Sequence, residues 1–381
     1  MIQREEILGR IERVRLAARQ QRWDGLLVVG RSFYDRVGHL AYLSNHFPPF
    51  PASPFVGHSR GLGHGLLLIP VNGAPTLLVD GRAYRKDLVA IDDVRADNDL
   101  VQSLIDLLTE RGLGRSRLGL VGEDLFPRAM DRPLREALPS LILESADDVV
   151  ATARAIKSTN EVALLRQAAE IAGQTLEAAR AAIEPGVDER AVCAAGTAAG
   201  LAAGADFIRY LRVHSGPWAG VSSRWPQATD RQLVAGDLVT IDAIGAYQGY
   251  QFDVLRSTSV GAPTEEARRI LDAGLRATEV TLAAVRPGVP VRELVRCALL
   301  SLDESGYAAF ASGFVGHGIG LETVEEPYIQ SGSEAVLAEG MVICVEPSIR
   351  IPNHGGCSIE QEVVVTRDGY DLLTTVAAQW W

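Results

Sequence analysis

Apolar positions along the chain switch between two periods, and the switch points mark its elements. Over residues 4–22, Ile7, Leu8, Ile11, Val14, Leu16 and Ala17 recur at helical spacing, which predicts a helix. Gly25-Leu26-Leu27-Val28-Val29 is a short unbroken apolar run and reads as a buried strand that turns at Gly30. Gly65–Ile69 and Pro75–Val79 read as a strand pair, because Val71-Asn72-Gly73-Ala74 between them carries Asn-Gly, a strong turn signal. Helix Asp99–Arg111, strand Arg117–Val121, helix Arg128–Leu138 and strand Leu141–Glu144 follow. Phe47-Pro48-Pro49-Phe50-Pro51, with its prolines, is a rigid loop and neither helix nor central strand. The alternation predicts a small α/β domain over residues 1–150.

From residue 151 the pattern changes. One long helix is expected from Ala151 to Ile183, stopping at Glu184-Pro185-Gly186. Helices at 188–203, 264–285 and 290–305 then alternate with β-rich segments at 207–215, 237–259 and 341–366. No Gly/Ser-rich linker separates the halves, so the second domain is taken as 151–381, beginning with that helix. The whole is an α+β chain without repeats or low-complexity tracts.

Composition narrows the function. At 381 residues the chain exceeds one ordinary core of about 100–200 residues. Lys plus Arg is 37 against 48 Asp plus Glu, a net charge of −11 that disfavours nucleic acid and anionic membrane surfaces. No apolar run approaches the ~18 residues of a membrane span. The charged start MIQREEILGRIERVR lacks the apolar stretch of a secretory signal. Cys193, Cys297, Cys344 and Cys357 are widely spaced and read as thiols of a reducing cytoplasm.

The chemistry-bearing residues lie in the second half. Leu238 to Val254 looks like two strands around a turn, and with the turn centred on Tyr247-Gln248, Asp242 stands directly opposite Asp253. Opposed Cβ atoms are only ~4.5–5.5 Å apart. Two carboxylates so close repel unless a cation or shared proton sits between them. Ile241 and Phe252, each preceding an Asp, favour a buried place over a solvated surface pair. Farther on, Glu346 and Glu360 would be opposed if the connection through Pro352-Asn353-His354-Gly355-Gly356 is centred on Asn353. Both sit in Val/Ile-rich strands, where a lone carboxylate is costly. Between the hairpins, Val315-Gly316-His317-Gly318-Ile319-Gly320 brings an imidazole on a glycine-rich segment. Four carboxylates and an imidazole form a hard, oxygen-rich set suited to two divalent ions, Mn²⁺ first, with Co²⁺, Fe²⁺ or Zn²⁺ as alternatives. Such ions make hydroxide available near neutral pH.

The order and spacing of these residues resemble the pita-bread, M24-type metallopeptidase superfamily: Xaa-Pro dipeptidases (prolidases), aminopeptidase P, methionine aminopeptidase and relatives such as creatinase. The matching stretches are Gly236–Asp242, Gly249–Asp253, Gly316–Glu322, Gly340–Pro347 and Ile359-Glu360. The first half looks like the creatinase/prolidase N-terminal domain, with Arg154–Ser158 at its junction to a pita-bread catalytic domain. The resemblance implies that Asp253 and Glu360 bridge the metals, that Asp242 completes one ion, and that His317 with Glu346 completes the other. It implies a dimeric hydrolase of a C–N bond in a dipeptide or small amide, with Glu346 as catalytic proton relay.

This chain departs from the peptidase pattern at three places. Val324 and Ser222-Ser223 stand where the peptidases carry histidines, and Ser358 where prolidases carry an arginine near the proline carboxylate. Losing one donor to the tetrahedral intermediate costs about 2.7–4 kcal/mol. Proline-dipeptide specificity is therefore expected to be altered. His46 and His58, in the histidine-rich stretch 39–64, are candidates to replace the lost groups as a lid reaching over a partner subunit's site. His214, Trp218, Ser223 and Arg224 fall at the substrate-binding loop, with Val324 and Ser358 completing the candidate contacts. Two other readings stay open: a non-peptidase branch of the fold (creatinase, ectoine hydrolase or a sulfonium lyase), and a non-catalytic binding protein.

Overall fold

The structure is a computed structural model describing residues 1–50, 60–82, 84–221 and 225–381. It divides into two compact units, Met1–Arg154 and Ala155–Trp381.

In the first unit α1 (Arg4–Gln20) buries Ile7, Ile11, Val14 and Ala18, the helical stripe of the sequence. After it come β1 (Gly25–Arg31), α2 (Gly38–Ser44), β2 (His64–Pro70), β3 (Thr76–Asp80), β4 (Asp93–Asp97), α3 (Leu100–Glu110), β5 (Arg117–Val121), α4 (Arg128–Ala137), β6 (Ile142–Ser145) and α5 (Asp147–Ala155). The six strands form one mixed sheet in the order β4-β3-β2-β1-β5-β6. Strand β1 is central, and its unbroken apolar run reflects burial on both faces. Helix α3 starts where the Asp99 carboxylate accepts the Gln102 N–H. The apolar pattern missed α2, which is buried nearly all round and has no polar face to set a period. It also missed β4, a charged edge strand.

The second unit contains α6 (Thr159–Ala181), α7 (Glu189–Ala202), β7 (Phe207–Ser215), β8 (Leu238–Tyr247), β9 (Tyr250–Ser259), α8 (Glu265–Ala283), α9 (Val291–Glu304), β10 (Phe314–Gly318), β11 (Glu325–Gln330), β12 (Val342–Val345), β13 (Ser348–Ile351), β14 (Gly355–Ser358), β15 (Gln361–Val365) and β16 (Tyr370–Leu372). Helices α6 and α7 back the sheet β7-β8-β9, meeting it through Leu176, Val192, Leu211, Ile241 and Phe252. Helices α8 and α9 back the sheet β11-β10-β12-β15-β16 through Leu282, Leu294, Val315, Ile343 and Val363.

The single helix expected over 151–183 is two helices, α5 and α6. The Lys157 N–H donates to the Gly340 carbonyl at 2.8 Å and Ile156 bridges to Met341, so this segment is drawn into a strand-like pairing. Ser158 then restarts the helix through a capping box with Glu161. Ser158-Thr159-Asn160-Glu161 is a readable start signal that the apolar period alone overrides.

Candidate metal centre

The β8–β9 hairpin pairs Tyr247 with Tyr250, and its two-residue loop is Gln248-Gly249, both at positive φ (49° and 83°). That is a type I′ connection, whose second position favours glycine, so the turn sits one residue later than Tyr247-Gln248. Asp242 consequently pairs with Leu255, and Asp253 with Ile244. The two aspartates are diagonal, not directly opposed. A shift of two positions keeps the face, whereas a shift of one would have lost it. Thr240, Asp242, Ile244, Asp253 and Leu255 all line one cavity, while Val239, Ile241, Ala243, Phe252 and Val254 fill the core behind.

The second carboxylate pair follows the expected register. Strands β13 and β14 pair Ser348 with Ser358, β12 and β15 pair Val345 with Gln361, and one register runs through both ladders. Glu346 and Glu360 occupy the gap between them, facing positions where neither strand continues. His317 lies on β10, reached through Gly316, where φ is 156° and an added Cβ would stand 2.0 Å from the Cys344 carbonyl oxygen. Only glycine permits that approach, and it sets the imidazole.

The five side chains converge. His317 Nε2 is 3.5 Å from Glu346 Oε1, 3.7 Å from Asp253 Oδ2 and 3.9 Å from Glu360 Oε1. Ligand atoms of Asp242, Asp253 and Glu360 lie within 4.8 Å of one another. His317 Nδ1 lies 2.9 Å from the Gly318 carbonyl, so it carries the hydrogen and leaves Nε2 facing the carboxylates. Burial lowers the His317 pKa, keeping the ring a neutral ligand. Burial and mutual repulsion push the carboxyls of Asp253 and Glu360 well above the ordinary range. Burial raises Asp242 against the pull of Arg212, which donates to its Oδ2 at 2.7 Å. Glu346 is pushed up to about 8, by burial first and by the Asp242 charge second.

Supporting groups hold this cluster. The Asp253 N–H donates to Glu362 Oε1 at 2.8 Å, and Glu362 is wholly buried. The buried Arg256 guanidinium donates to the Glu360 carbonyl and to Gln361 Oε1, fixing the chain on either side of that peptide. Cys344 lies with His317 and Glu360 in a group whose ligand atoms are mutually within 4.8 Å. Its thiol is pushed well above the usual range and faces the Asp253 carbonyl, so it is a neutral neighbour and a poor ligand.

Divalent cations fit this donor set. Asp242 Oδ1 and Glu360 Oε1 are buried with no hydrogen-bond partner. Each bare acceptor costs at least about 1–3 kcal/mol. Close, buried carboxylates with orphaned oxygens and one neutral imidazole are what a hard or borderline cation satisfies.

The cluster closes one part of a cavity of about 420 Å³ within the second unit. His214, Val324 and Ser358 line it, as does Glu346. The Ser358 hydroxyl faces the Glu346 and Pro347 carbonyls, 3.3 Å from each. Trp218 is 46% exposed and is not among the lining residues. His58, Ser223 and Arg224, with Ser222, lie outside the described residues. His46 is buried in the first unit, its ring against Gly65, and burial lowers its pKa to about 4. In that unit it is a neutral core residue.

Tyr210, Arg212, Phe314 and Arg350 also line the cavity and were not singled out from the sequence. Strand β7 did carry a signal. Tyr210, Arg212 and His214 alternate with the core residues Leu211 and Val213, a period of two that puts three polar side chains on one face.

Comparison with known proteins finds similarity over both units. Residues 163–367 match the family model described as metallopeptidase family M24, and residues 10–156 that of the creatinase/prolidase N-terminal domain. An Xaa-Pro dipeptidase of Pyrococcus horikoshii is 34% identical over 263 residues, covering 68% of this chain and 74% of that protein. A probable dipeptidase, PepE, of Mycobacterium tuberculosis is 31% identical over 315 residues, 80% of this chain and 81% of its own. The crystal structure of the prolidase from Pyrococcus horikoshii OT3 superposes with a TM-score of 0.84 at 27% identity, covering 97% of this chain and 99% of that one.

Proposed function

The chain belongs to metallopeptidase family M24, a metal-dependent hydrolase with an Xaa-Pro dipeptidase-like fold, and we propose that it is dinuclear and cleaves a C–N bond in a small peptide-like or amide substrate. The observation that carries this reading is the convergence of Asp242, Asp253, His317, Glu346 and Glu360 on one cavity, with buried acceptor oxygens left bare. These five residues would hold the ions, with Asp253 and Glu360 as the shared ligands. Divalent cations held there supply a low-pKa water and polarise a carbonyl.

The chain's own groups do the rest. Glu346 is the proton relay in this reading, because its side chain keeps an edge (19% exposed) toward the cavity. His214 Nδ1 lies 2.7 Å from the Val221 carbonyl, which orients a second imidazole on the cavity wall. Lining the cavity itself, it is the imidazole proposed to serve the leaving nitrogen. Val324 contributes neither a proton nor a hydrogen bond, and Ser358 no charge. These two replacements support a specificity shifted away from proline dipeptides, and they favour as second reading a small-molecule hydrolase or lyase of the same fold.

Manganese, a cytoplasmic location and a homodimer complete the proposal. The oxygen-rich donors support the first, the four free thiols the second, and Trp225, 84% exposed, marks a surface suited to a partner copy. The test is to screen Mn²⁺-loaded protein against dipeptides, N-acyl amino acids, small amides and osmolyte-type compounds, following products by NMR. Release of an amine from at least one class is expected. Full metal occupancy with no turnover of any would leave the binding-protein reading in its place.

A further inference from the structure

The two proposed shared ligands, Asp253 and Glu360, each lean on a buried charged side chain outside the ligand set, and both of those lead to one stretch of chain. Behind Glu360 stands Arg256 on β9, wholly buried. Its Nη1 donates to the Glu360 and Leu255 carbonyls and its Nε to the Ala377 carbonyl at 2.8 Å. Its Nη2 donates to Gln361 Oε1 at 2.9 Å and to the Val376 carbonyl at 3.0 Å. All five guanidinium hydrogens are used, and none of these acceptors is a carboxylate. The Glu360 N–H donates in turn to the Leu255 carbonyl at 3.0 Å, so the peptide that bears the ligand is gripped on both sides. Behind Asp253 stands Glu362, whose Oε1 accepts the Asp253 N–H. The Glu362 N–H donates to Thr374 Oγ1 at 2.8 Å, and its carbonyl accepts the Leu373 N–H at 2.9 Å.

Residues 373–377 therefore serve both supports, and the chain beyond them is fixed on two sides of the second unit. Val376 and Trp380 pack into the core between α6, α7 and the sheet β7-β8-β9. Ala378 packs on the core around α8, and Trp381 Nε1 donates to Asp272 on that helix at 2.7 Å. Neither Arg256 nor any residue of 373–381 is among the described residues that line the cavity. Burial works against the Arg256 charge, and the carboxylates of Glu360, Glu177 and Glu362 support it. A guanidinium placed so, spending every donor on carbonyl and amide oxygens, holds backbone in place and meets no substrate.

We propose that residues 373–381 form a strap that sets the metal centre, fixing Glu360 through Arg256 and Asp253 through Glu362. Arg256 is a positioning residue, and the spacing of the two shared ligands depends on a segment outside the cavity. The proposal rests on reading those two carboxylates as ligands. Linkage makes the effect reciprocal: what the strap contributes to ion binding, bound ions return as protection of the strap.

The experiment compares full-length wild type, Arg256→Lys and Trp380→Ala, each checked for folding by circular dichroism. Three quantities are read: Mn²⁺ affinity by calorimetry, the visible spectrum of the Co²⁺-loaded protein, and hydrogen exchange over 373–381 with EDTA or with Mn²⁺. Lysine keeps the charge but offers three donors without the planar fork. Trp380→Ala loosens the strap and changes no group at the cavity. Loss of a supporting group behind a ligand costs about 10- to 100-fold in metal affinity, and a loss of that size is expected for Arg256→Lys. Trp380→Ala should lose less, and the Co²⁺ bands should be displaced in both. Mn²⁺ should slow exchange over 373–381 in the wild type and slow it less in the variants. Wild-type affinity and Co²⁺ spectrum in folded Arg256→Lys, the result of a merely structural role, overturn the strap. So does wild-type exchange over 373–381 that is indifferent to bound Mn²⁺, a measurement that decides the matter even where a variant does not fold. A wild type that binds neither ion is a different failure: it overturns the ligand reading, and the strap with it.

Discussion

Removing the metal should make the second unit's stability fall as pH rises, the reverse of ordinary acid sensitivity. Glu362 shows why. It is wholly buried, touches the Asp253 backbone, and burial raises its carboxyl from the ordinary 4.5 to about 8. A group whose folded pKa is raised contributes stability that is complete below the unfolded value and lost as pH climbs through the folded one. The window for Glu362 is therefore about 4.5 to 8. A carboxyl displaced that far is worth about 5 kcal/mol between the extremes. Glu346 adds a contribution of the same sign, and Asp253 and Glu360 are raised as well, although coupled groups do not add. A domain's whole stability is about 5–15 kcal/mol, so the effect is large. Bound cations reverse the slope, because protons compete with metal for the same oxygens. The assay is urea unfolding of a Trp23→Phe variant, whose four remaining tryptophans all lie in the second unit. It is run from pH 5 to 8.5, with EDTA or with Mn²⁺. The metal-free midpoint should fall with pH and the gain from Mn²⁺ should grow, with Glu362→Gln flattening the metal-free slope. A metal-free midpoint that is flat or rises with pH, or a Mn²⁺ gain independent of pH, would refute the reasoning.

Three further outcomes follow from the same geometry. With Val324 and Ser358 in place, kcat/KM on Ala-Pro or Gly-Pro should stay under about 10⁴ M⁻¹s⁻¹ in steady-state assays; a higher value means that other groups restore prolidase chemistry. Gly316→Ala would place a methyl 2.0 Å from the Cys344 carbonyl oxygen, so at least about 1–3 kcal/mol of stability should be lost in denaturant melts along with metal affinity; a variant as stable and as metal-replete as wild type contradicts the β10–β12 packing. His46, buried with its pKa lowered to about 4, favours the folded first unit above pH 6.5 and should cost about 3 kcal/mol as pH falls from 6.5 to 4. His46→Gln should reduce that acid loss, followed by Trp23 fluorescence, without changing metal content.

That the candidate carboxylates share one face was legible in the sequence, for reasons of strand parity, while several elements of the fold were not. Asp242 and Asp253 stay on one face even though the hairpin turn was placed one residue early, since a pairing shift of two preserves strand parity. Glu346 and Glu360 were easier, because Asn353, at φ 57°, does centre their connection. Elements without a one-sided apolar stripe were missed: α2, buried nearly all round, and β4, a charged edge. The break at Ile156–Ser158 is set by pairing with Gly340 and Met341, nearly two hundred residues away, which no local pattern records. Arg212 and Arg350 were overlooked because an arginine in a strand reads as a solvated edge until the cavity it borders is known.

The central claim is that five side chains hold two ions, and counting the ions tests it most directly. Purified protein is loaded with Mn²⁺, freed of excess by gel filtration and measured by inductively coupled plasma mass spectrometry beside Asp253→Ala. Two equivalents per chain are predicted for the wild type and no more than one for Asp253→Ala, whose side chain is the proposed shared ligand, with the circular-dichroism spectrum unchanged. A wild-type chain that binds fewer than two, or an Asp253→Ala chain that keeps both, would contradict the account.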